Sequence, residues 1–263
     1  MIDILYKQFA SYYAGVTSDR NYKGHIALIL DSFEPERPCL TFMELFAGQA
    51  LHGLEAAKNK DIDLWALDSS AQMKDIAIME GFEKPNQYIV GALPEAILEC
   101  AGKVIFDGMI ALSCSITYLD KAALYQLLKN TKETLRKKGK IFIETYDNIS
   151  FMGEVEQSIA HTGTYSWFPD IQTPNGEIVR LAWPSEKIRW NANSYSIEIP
   201  VKLYIVSEKG TETVEFISKQ HIHSAEDIIF VGNLLGYSSK ILSADAQWKT
   251  TFDNNVVIEL TYE

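Results

Sequence analysis

Cysteine is scarce in this chain of 263 residues: Cys39, Cys100 and Cys114 are odd in number, widely spaced and never paired as C-x-x-C. That argues against a disulfide framework or a zinc ribbon and makes a reducing cytoplasm the simplest setting. No apolar run approaches the roughly 20 residues needed to cross a bilayer. The start, Met1-Ile-Asp-Ile-Leu-Tyr-Lys7, also lacks a basic region followed by an apolar one. A soluble, unexported protein is expected, without a membrane partner. Positive charge is short as well, with 24 Lys and Arg against 35 Asp and Glu, a formal net charge of -11. Such a surface repels phosphate backbones and favours neutral or cationic partners, so nucleic acid is not an expected ligand. Internal repeats and low-complexity segments are absent.

At 47% hydrophobic, the chain is long enough to bury a substantial core as one large domain or one domain carrying an insert. Residues 1 to about 36 read as a helical lead-in rich in phenols, with Tyr6, Tyr12, Tyr13 and Tyr22 among them. From Leu40 short apolar runs alternate with helical patterns. Strands are predicted at 40–46, 62–67, 87–90, 106–112 and 139–145, with helices at 48–59, 70–80, 93–100 and 120–137 between them. This alternation implies a parallel sheet with right-handed crossovers. Lys137-Lys-Gly-Lys140 reads as the solvated end of the last of these helices.

After Asp147 the pattern turns to alternating strands, Glu177–Trp183, Lys187–Asn191, Ser194–Ile199, Val201–Val206 and Thr213–Ser218, with turn signals at Pro174-Asn-Gly176 and Lys209-Gly210. An antiparallel insert is predicted. A helix capped by Ser224 and Asp227 follows and stops at Gly236, and strands near 237–243 and 255–262 would complete the main sheet. The predicted architecture is an α/β, Rossmann-like, doubly wound seven-stranded sheet formed by 1–147 with 224–263. Residues 148–223 form the β-rich insert covering the substrate.

The motif with most chemical content joins the first two strands. Phe46-Ala-Gly-Gln-Ala50 is a small-residue turn between a strand and a helix, and Asp68 lies 20 residues after Gly48 at the tip of the next strand. A turn without bulky Cβ atoms lets a ligand reach backbone N–H groups, while a carboxylate on the second strand tip accepts from two ribose hydroxyls. The pattern is G-x-A rather than G-x-G, and Asp68 alone also suits a helix N-cap. These residues leave a nicotinamide, a flavin or S-adenosylmethionine open as the cofactor.

A longer series of segments narrows the choice. Phe9-Ala-Ser-Tyr-Tyr13, Glu44-Leu-Phe-Ala-Gly-Gln-Ala50, Leu67-Asp-Ser-Ser-Ala-Gln-Met73, Val90-Gly-Ala-Leu93 and Phe106–Leu119 resemble the class I S-adenosylmethionine-dependent methyltransferases, in particular the small-molecule, amino-sugar type N-methyltransferases. The resemblance is continuous over 5–147 and looser over 215–263. It implies that Glu44, Phe46, Ala47 and Gly48 surround the methionine portion of S-adenosyl-L-methionine, with Tyr13 reaching its carboxylate and Tyr22 closing over it. It further implies Asp68 on the ribose, Ser69 and Met73 beneath the adenosine, and Gly91, Ala92 and Leu93 beside adenine. Leu112 and Ser113 match the exit of the fourth strand, and Thr117 and Tyr118 the positions nearest the transferred methyl. Tyr118 and Tyr13 are the candidate catalytic residues.

Two letters depart from the family pattern. Ala50 stands where glycine is usual, a mild change if its φ is negative. Ala92 replaces an aspartate that accepts from the adenine amino group, removing a bond typically worth about 1 kcal/mol. The expected acceptor is an amine of a small molecule or modified peptide. A small-molecule O-methyltransferase and a non-catalytic binding protein are the alternatives. In the insert, Tyr165, Trp167, Phe168, Trp183, Trp190, Tyr195 and Tyr204 divide between an apolar lid and the insert's own core, and Asp170 or Glu144 could attract a cationic substrate. His52 suits either cofactor approach or helix packing. No metal is expected, His221-Ile-His223 lacking a third ligand at suitable spacing.

Overall fold

The structure is a computed structural model that describes residues 2–33, 39–153 and 168–263. Two compact units emerge, Met1–Arg20 with Asn148–Ile222 and Asn21–Asp147 with His223–Glu263. The lead-in up to Arg20 therefore groups with the insert segment rather than with the sheet that it was expected to join. Tyr165 and Trp167 lie outside the described residues.

In the first unit, α1 (Asp3–Lys7) and α2 (Ala10–Val16) accompany a five-stranded antiparallel sheet. Its strands are β6 (Ile171–Gln172), β7 (Ile178–Ala182), β8 (Arg189–Asn191), β9 (Ser196–Ser207) and β10 (Gly210–His221). The two strands predicted either side of Pro200 are one continuous strand, β9. Proline is tolerated there because β9 has outrun its neighbour β7, whose last paired residue is Ala182 opposite Lys202. The missing N–H thus leaves no ladder partner unsatisfied on that side, and the Pro200 carbonyl accepts from Ser185 N–H at 2.8 Å. Alternate residues Val179, Leu181, Ile197, Ile199, Val201 and Leu203 are buried and supply this unit's core. Tyr12 of α2 donates to the Glu177 carboxylate at 3.0 Å, and Gly15 approaches Ile171 so closely that a Cβ would lie 2.6 Å from its Cδ1. These contacts explain why the lead-in helices belong to this unit.

The second unit is built on a seven-stranded sheet. Its strands are β1 (Leu40–Leu45), β2 (Ile62–Asp68), β3 (Tyr88–Val90), β4 (Phe106–Ala111), β5 (Leu135–Thr145), β11 (Tyr237–Ile241) and β12 (Val256–Tyr262). They lie in the order β11-β12-β5-β4-β1-β2-β3, with β1 to β5 parallel and β12 antiparallel to both neighbours. Every residue of the central β4 is buried, as a parallel strand covered on both faces requires. The covering helices are α3 (Tyr22–Asp31), α4 (Leu51–Ala56), α5 (Ala71–Met79), α6 (Lys121–Thr131), α7 (Ala225–Leu234) and α8 (Ala246–Thr251). Ser224 and Asp227 cap α7 reciprocally: the Ser224 hydroxyl accepts from Asp227 N–H and the Asp227 carboxylate accepts from Ser224 N–H, each at 3.0 Å.

Some predicted boundaries shift for physical reasons. The helix expected at 48–59 starts only at Leu51, because Phe46, Gly48 and Ala50 all adopt positive φ and cannot be helical. The segment 93–100 contains Pro94 and forms a 3₁₀ turn at Ala96–Cys100 rather than an α-helix. The helix expected to reach 137 ends at Thr131, where the Thr131 and Thr134 hydroxyls bond back to Leu128 and Thr131 carbonyls. Leu135 then pairs with Phe106, so Lys137, Lys138 and Lys140 ride on a strand with a register shift, not on a helix end.

Candidate functional site

The parallel strands β1, β2, β3 and β4 all end at the same edge of the sheet, and there the chain turns sharply. After β1, Phe46 (φ 54°), Gly48 (φ 53°) and Ala50 (φ 58°) alternate into left-handed backbone. For the two L residues this costs roughly 1–2 kcal/mol each. Ala50 therefore departs from the negative φ that its side chain prefers, and the substitution for glycine is a strained one. The turn is held from both sides of Gly48. Its N–H donates to Asp68 Oδ2 at 2.8 Å, and its carbonyl accepts from the Tyr88 hydroxyl. The neighbouring Ala47 N–H donates to the Leu67 carbonyl at 3.0 Å. Among the described residues the space beside Gly48 is open, for a Cβ there would meet none of their atoms within 4 Å.

Asp68 gathers three loops. Besides Gly48, its Oδ1 accepts from Ser70 N–H at 2.9 Å, and its backbone carbonyl accepts from Gly91 N–H at 2.9 Å. The backbone donors of Gly48, Ser70 and Ser69 do not exhaust the carboxylate's lone pairs, which leaves room for a ligand hydroxyl. Burial raises its pKa above the usual carboxylate value and the Glu44 charge adds to the rise, while the Gly48 and Ser70 N–H groups oppose it. Burial likewise raises the Tyr88 phenol, with the Asp68 and Glu44 charges contributing, so it remains a donor to Gly48. Gly91 has no room for a side chain, since a Cβ would fall 2.6 Å from Ala96 Cβ.

Glu44, on β1, is buried, and its Oε2 accepts from Gly53 N–H at 2.7 Å. A Cβ on Gly53 would sit 2.8 Å from that oxygen and 2.7 Å from Leu64 Cδ1, which fixes glycine at this position. The other oxygen faces His52 Nδ1 at 3.5 Å. His52 is buried on α4, so packing rather than ligand approach describes it. At the exit of β4, Ser113 (φ 57°) and Cys114 (φ 52°) form a second strained turn. Glu144 of β5 holds it, accepting from Ser113 N–H at 2.6 Å and from the Asn255 side chain at 2.7 Å.

Most of the residues singled out in the sequence meet at this edge. Glu44, Phe46, Ala47, Gly48, Asp68 and Ser69 belong to the β1 and β2 exits, Gly91, Ala92 and Leu93 follow β3, and Leu112 and Ser113 follow β4. Tyr118 is half-buried on the 3₁₀ turn Ser115–Tyr118, and Tyr22 packs edge-on against His52 with ring centroids 4.7 Å apart. Others point elsewhere. Thr117 is fully buried and its hydroxyl donates to Cys114 O at 2.7 Å, so it supports the turn from inside. Met73 is buried on α5, in the layer that packs on the sheet. Tyr13 belongs to the first unit, where its ring lies 4.8 Å from Tyr6 and 6.4 Å from Trp183.

The two acids considered for attracting a cation are already engaged. Asp170 is held in a forked ion pair by Arg180, with contacts of 2.7–3.1 Å, which lowers its pKa. Glu144 has both oxygens occupied as described. Of the insert aromatics, Trp183 is buried with Phe168 edge-on at 6.2 Å, whereas Trp190 and Tyr195 are exposed and pack on each other. Sequence reasoning missed Tyr88 and the Glu144 clamp. Nothing local announces either, because each acts on a residue at least 31 positions away.

No protein-family model matches the sequence, and no curated protein matches it. Solved structures do. The amino pentose methyltransferase CalS10 of Micromonospora echinaspora, solved with S-adenosylmethionine bound, aligns over 97% of this chain and 96% of its own at 13% identity and a TM-score of 0.68. DesVI of Streptomyces venezuelae aligns over 97% of both chains at 13% identity and a TM-score of 0.70. The sugar N-methyltransferase KedS8 of Streptoalloteichus aligns over 97% and 93% at 12% identity and the same TM-score of 0.70. From β1 to the closing antiparallel strand, the chain has the fold of the S-adenosylmethionine-dependent methyltransferases.

Proposed function

We propose that this chain is an S-adenosylmethionine-dependent methyltransferase that methylates an amine nitrogen of a small molecule. The observation that carries this reading is the junction of Gly48 and Asp68, bonded at 2.8 Å at the strand exits beside a space that no described residue fills. The site fits the cofactor in chemistry as well as place. Asp68 offers acceptor positions to two ribose hydroxyls, and the turn around Gly48 brings backbone close to the methionine portion. Glu44 and Asp68 supply negative charge for its ammonium. When bound, S-adenosylmethionine supplies an electrophilic methyl on a sulfonium, so the protein's work is chiefly to align an acceptor lone pair.

The chain's own residues would do this with little covalent help. Ser113 and Cys114, held by Glu144, shape the β4 exit, and Tyr118 on the turn after it is the candidate to handle the proton of the acceptor amine. The excess of acid over base suits an acceptor that is neutral or cationic elsewhere. CalS10 is an amino pentose methyltransferase and KedS8 a sugar N-methyltransferase, so amino sugars are the acceptor class to try first.

Label from methyl-labelled S-adenosylmethionine should appear on amino sugars or other small amines and not on nucleic acid. Tyr118→Phe should retain cofactor binding and lower kcat by about 10²–10⁴-fold. Cofactor binding with no transfer to any amine would refute the catalytic part. Transfer to hydroxyls alone would convert the reading to O-methylation, which the same cofactor site serves.

A further inference from the structure

Strand β10 ends the antiparallel sheet of the first unit, paired with β9 on one side and with no described strand on the other. It is 12 residues long, Gly210 to His221, and it contains no proline and no break in its register with β9. Short length, proline and bulges are the usual devices that keep an edge strand from pairing with another chain, and β10 has none of them.

The strand's partner shows which backbone groups face the open side. Ile217 pairs with Pro200, and the Pro200 carbonyl is turned the other way, accepting from Ser185 N–H at 2.8 Å. Just past the strand, Ile222 N–H points back to the Tyr195 carbonyl at 2.8 Å. In an antiparallel ladder, residues alternate between directing both N–H and C=O toward the partner strand and directing both away from it. Both observations give the same parity. Glu215, Ile217 and Lys219 therefore present their backbone groups to the open edge, and the even-numbered residues present theirs to β9.

The same three side chains share the exposed face of the sheet, since Phe216 and Ser218 between them are buried. Ile217 is 37% exposed. Glu215 shares Lys202 with Glu186, at 3.1 and 2.8 Å, whereas the exposed Lys219 is joined to no acid among the described residues. Acid, apolar residue and base thus follow one another at every second position.

We propose that this edge pairs with the same edge of a second copy of the chain, antiparallel about a two-fold axis at Ile217. Two independent requirements select that register. The ladder must set outward-facing residues against outward-facing residues, odd against odd. Charge must set Glu215 of each copy against Lys219 of the other. Centring on Ile217 satisfies both, and the axis repeats the ion pair on either side of a contact between the two Ile217 side chains. A register centred on Glu215 or on Lys219 would set like charges face to face. The two five-stranded sheets then run on as one, with no open edge left at β10.

This pairing does not rest on the cofactor reading. Sedimentation velocity of the full-length protein should give twice the chain mass; a single-chain mass at about 0.1 mM, midway in the usual range of weak affinities, would overturn the proposal. Ile217→Pro removes an N–H that has no ladder partner within one copy, so circular dichroism should match wild type. Its dimer dissociation constant should rise at least about tenfold. Lys219→Glu should weaken the dimer similarly by opposing like charges, and adding Glu215→Lys should restore it, Lys202 keeping Glu186 meanwhile. A dimer indifferent to Ile217→Pro would overturn the choice of edge, and failure of the double exchange to restore pairing would overturn the register. If a charge variant does not fold, Ile217→Cys decides. The axis brings the two Cα atoms to about 5.5 Å, within disulfide range, so mild oxidation should link two chains through position 217 where wild type forms no such link. No covalent dimer would overturn the pairing.

Discussion

Asp68 is the residue on which the site turns, and its raised pKa sets a sign that can be checked. Because the folded protein favours the protonated form relative to an unfolded chain, Asp68 subtracts stability as pH rises from the unfolded value through the folded one. In the proposed binding mode a ribose donates to the ionised carboxylate, so cofactor binding would expel that proton. Affinity for S-adenosylhomocysteine should therefore be level above the raised pKa and decline as pH falls through it. Asp68→Asn should weaken binding by at least about tenfold, the loss of one charge-assisted bond, and abolish the acidic decline. Calorimetry across pH reads both. Tyr88→Phe removes the donor to Gly48 O and should cost about 1–3 kcal/mol, seen as a Tm lower by about 2–4 °C per kcal/mol. Gly48 and Asp68 were legible in the sequence because strand, turn, helix and strand impose their spacing. Tyr88 was not, since a phenol on a short strand reads the same whether it packs or donates. Ala50 was visible as a letter, but its positive φ was not, for that angle is set by the bonds around Gly48 rather than by Ala50 itself.

At the scale of elements, the sequence carries most where hydrophobic period and capping agree. The α7 cap is such a case: Ser224, Asp227 and Gly236 mark the helix ends, and both reciprocal bonds are present. Ser224→Ala should cost about 1 kcal/mol, a Tm decrease of about 2–4 °C by differential scanning. An unchanged Tm would mean that packing alone holds α7 in place. The pattern failed where long-range pairing competes with local preference. Residues 132–137 continue a helical pattern, yet pairing Leu135 with Phe106 extends β5 and ends α6 early. Pro200 suggested a break between two strands, and only the position where β7 stops explains why the strand continues. Helix α8 was overlooked, although Asp245 caps it through Gln247 and Trp248 N–H groups, a signal that was there to be read.

For the whole molecule, the alternation of strands and helices sufficed to anticipate a doubly wound sheet, including the closing β11 and β12. The grouping of the first 20 residues with the insert was beyond it, because that depends on contacts such as Tyr12 with Glu177, 165 positions apart. The acidic surface, the fold and the Gly48 and Asp68 junction support the proposal of a small ligand bearing a ribose and a cation. Titrating the full-length protein with S-adenosylhomocysteine in a calorimeter tests that claim most directly. The account predicts saturable binding of one ligand per chain, weakened by Asp68→Asn. No heat of binding up to about millimolar ligand, the weak end of the usual affinity range, or equal affinity in Asp68→Asn, would contradict it.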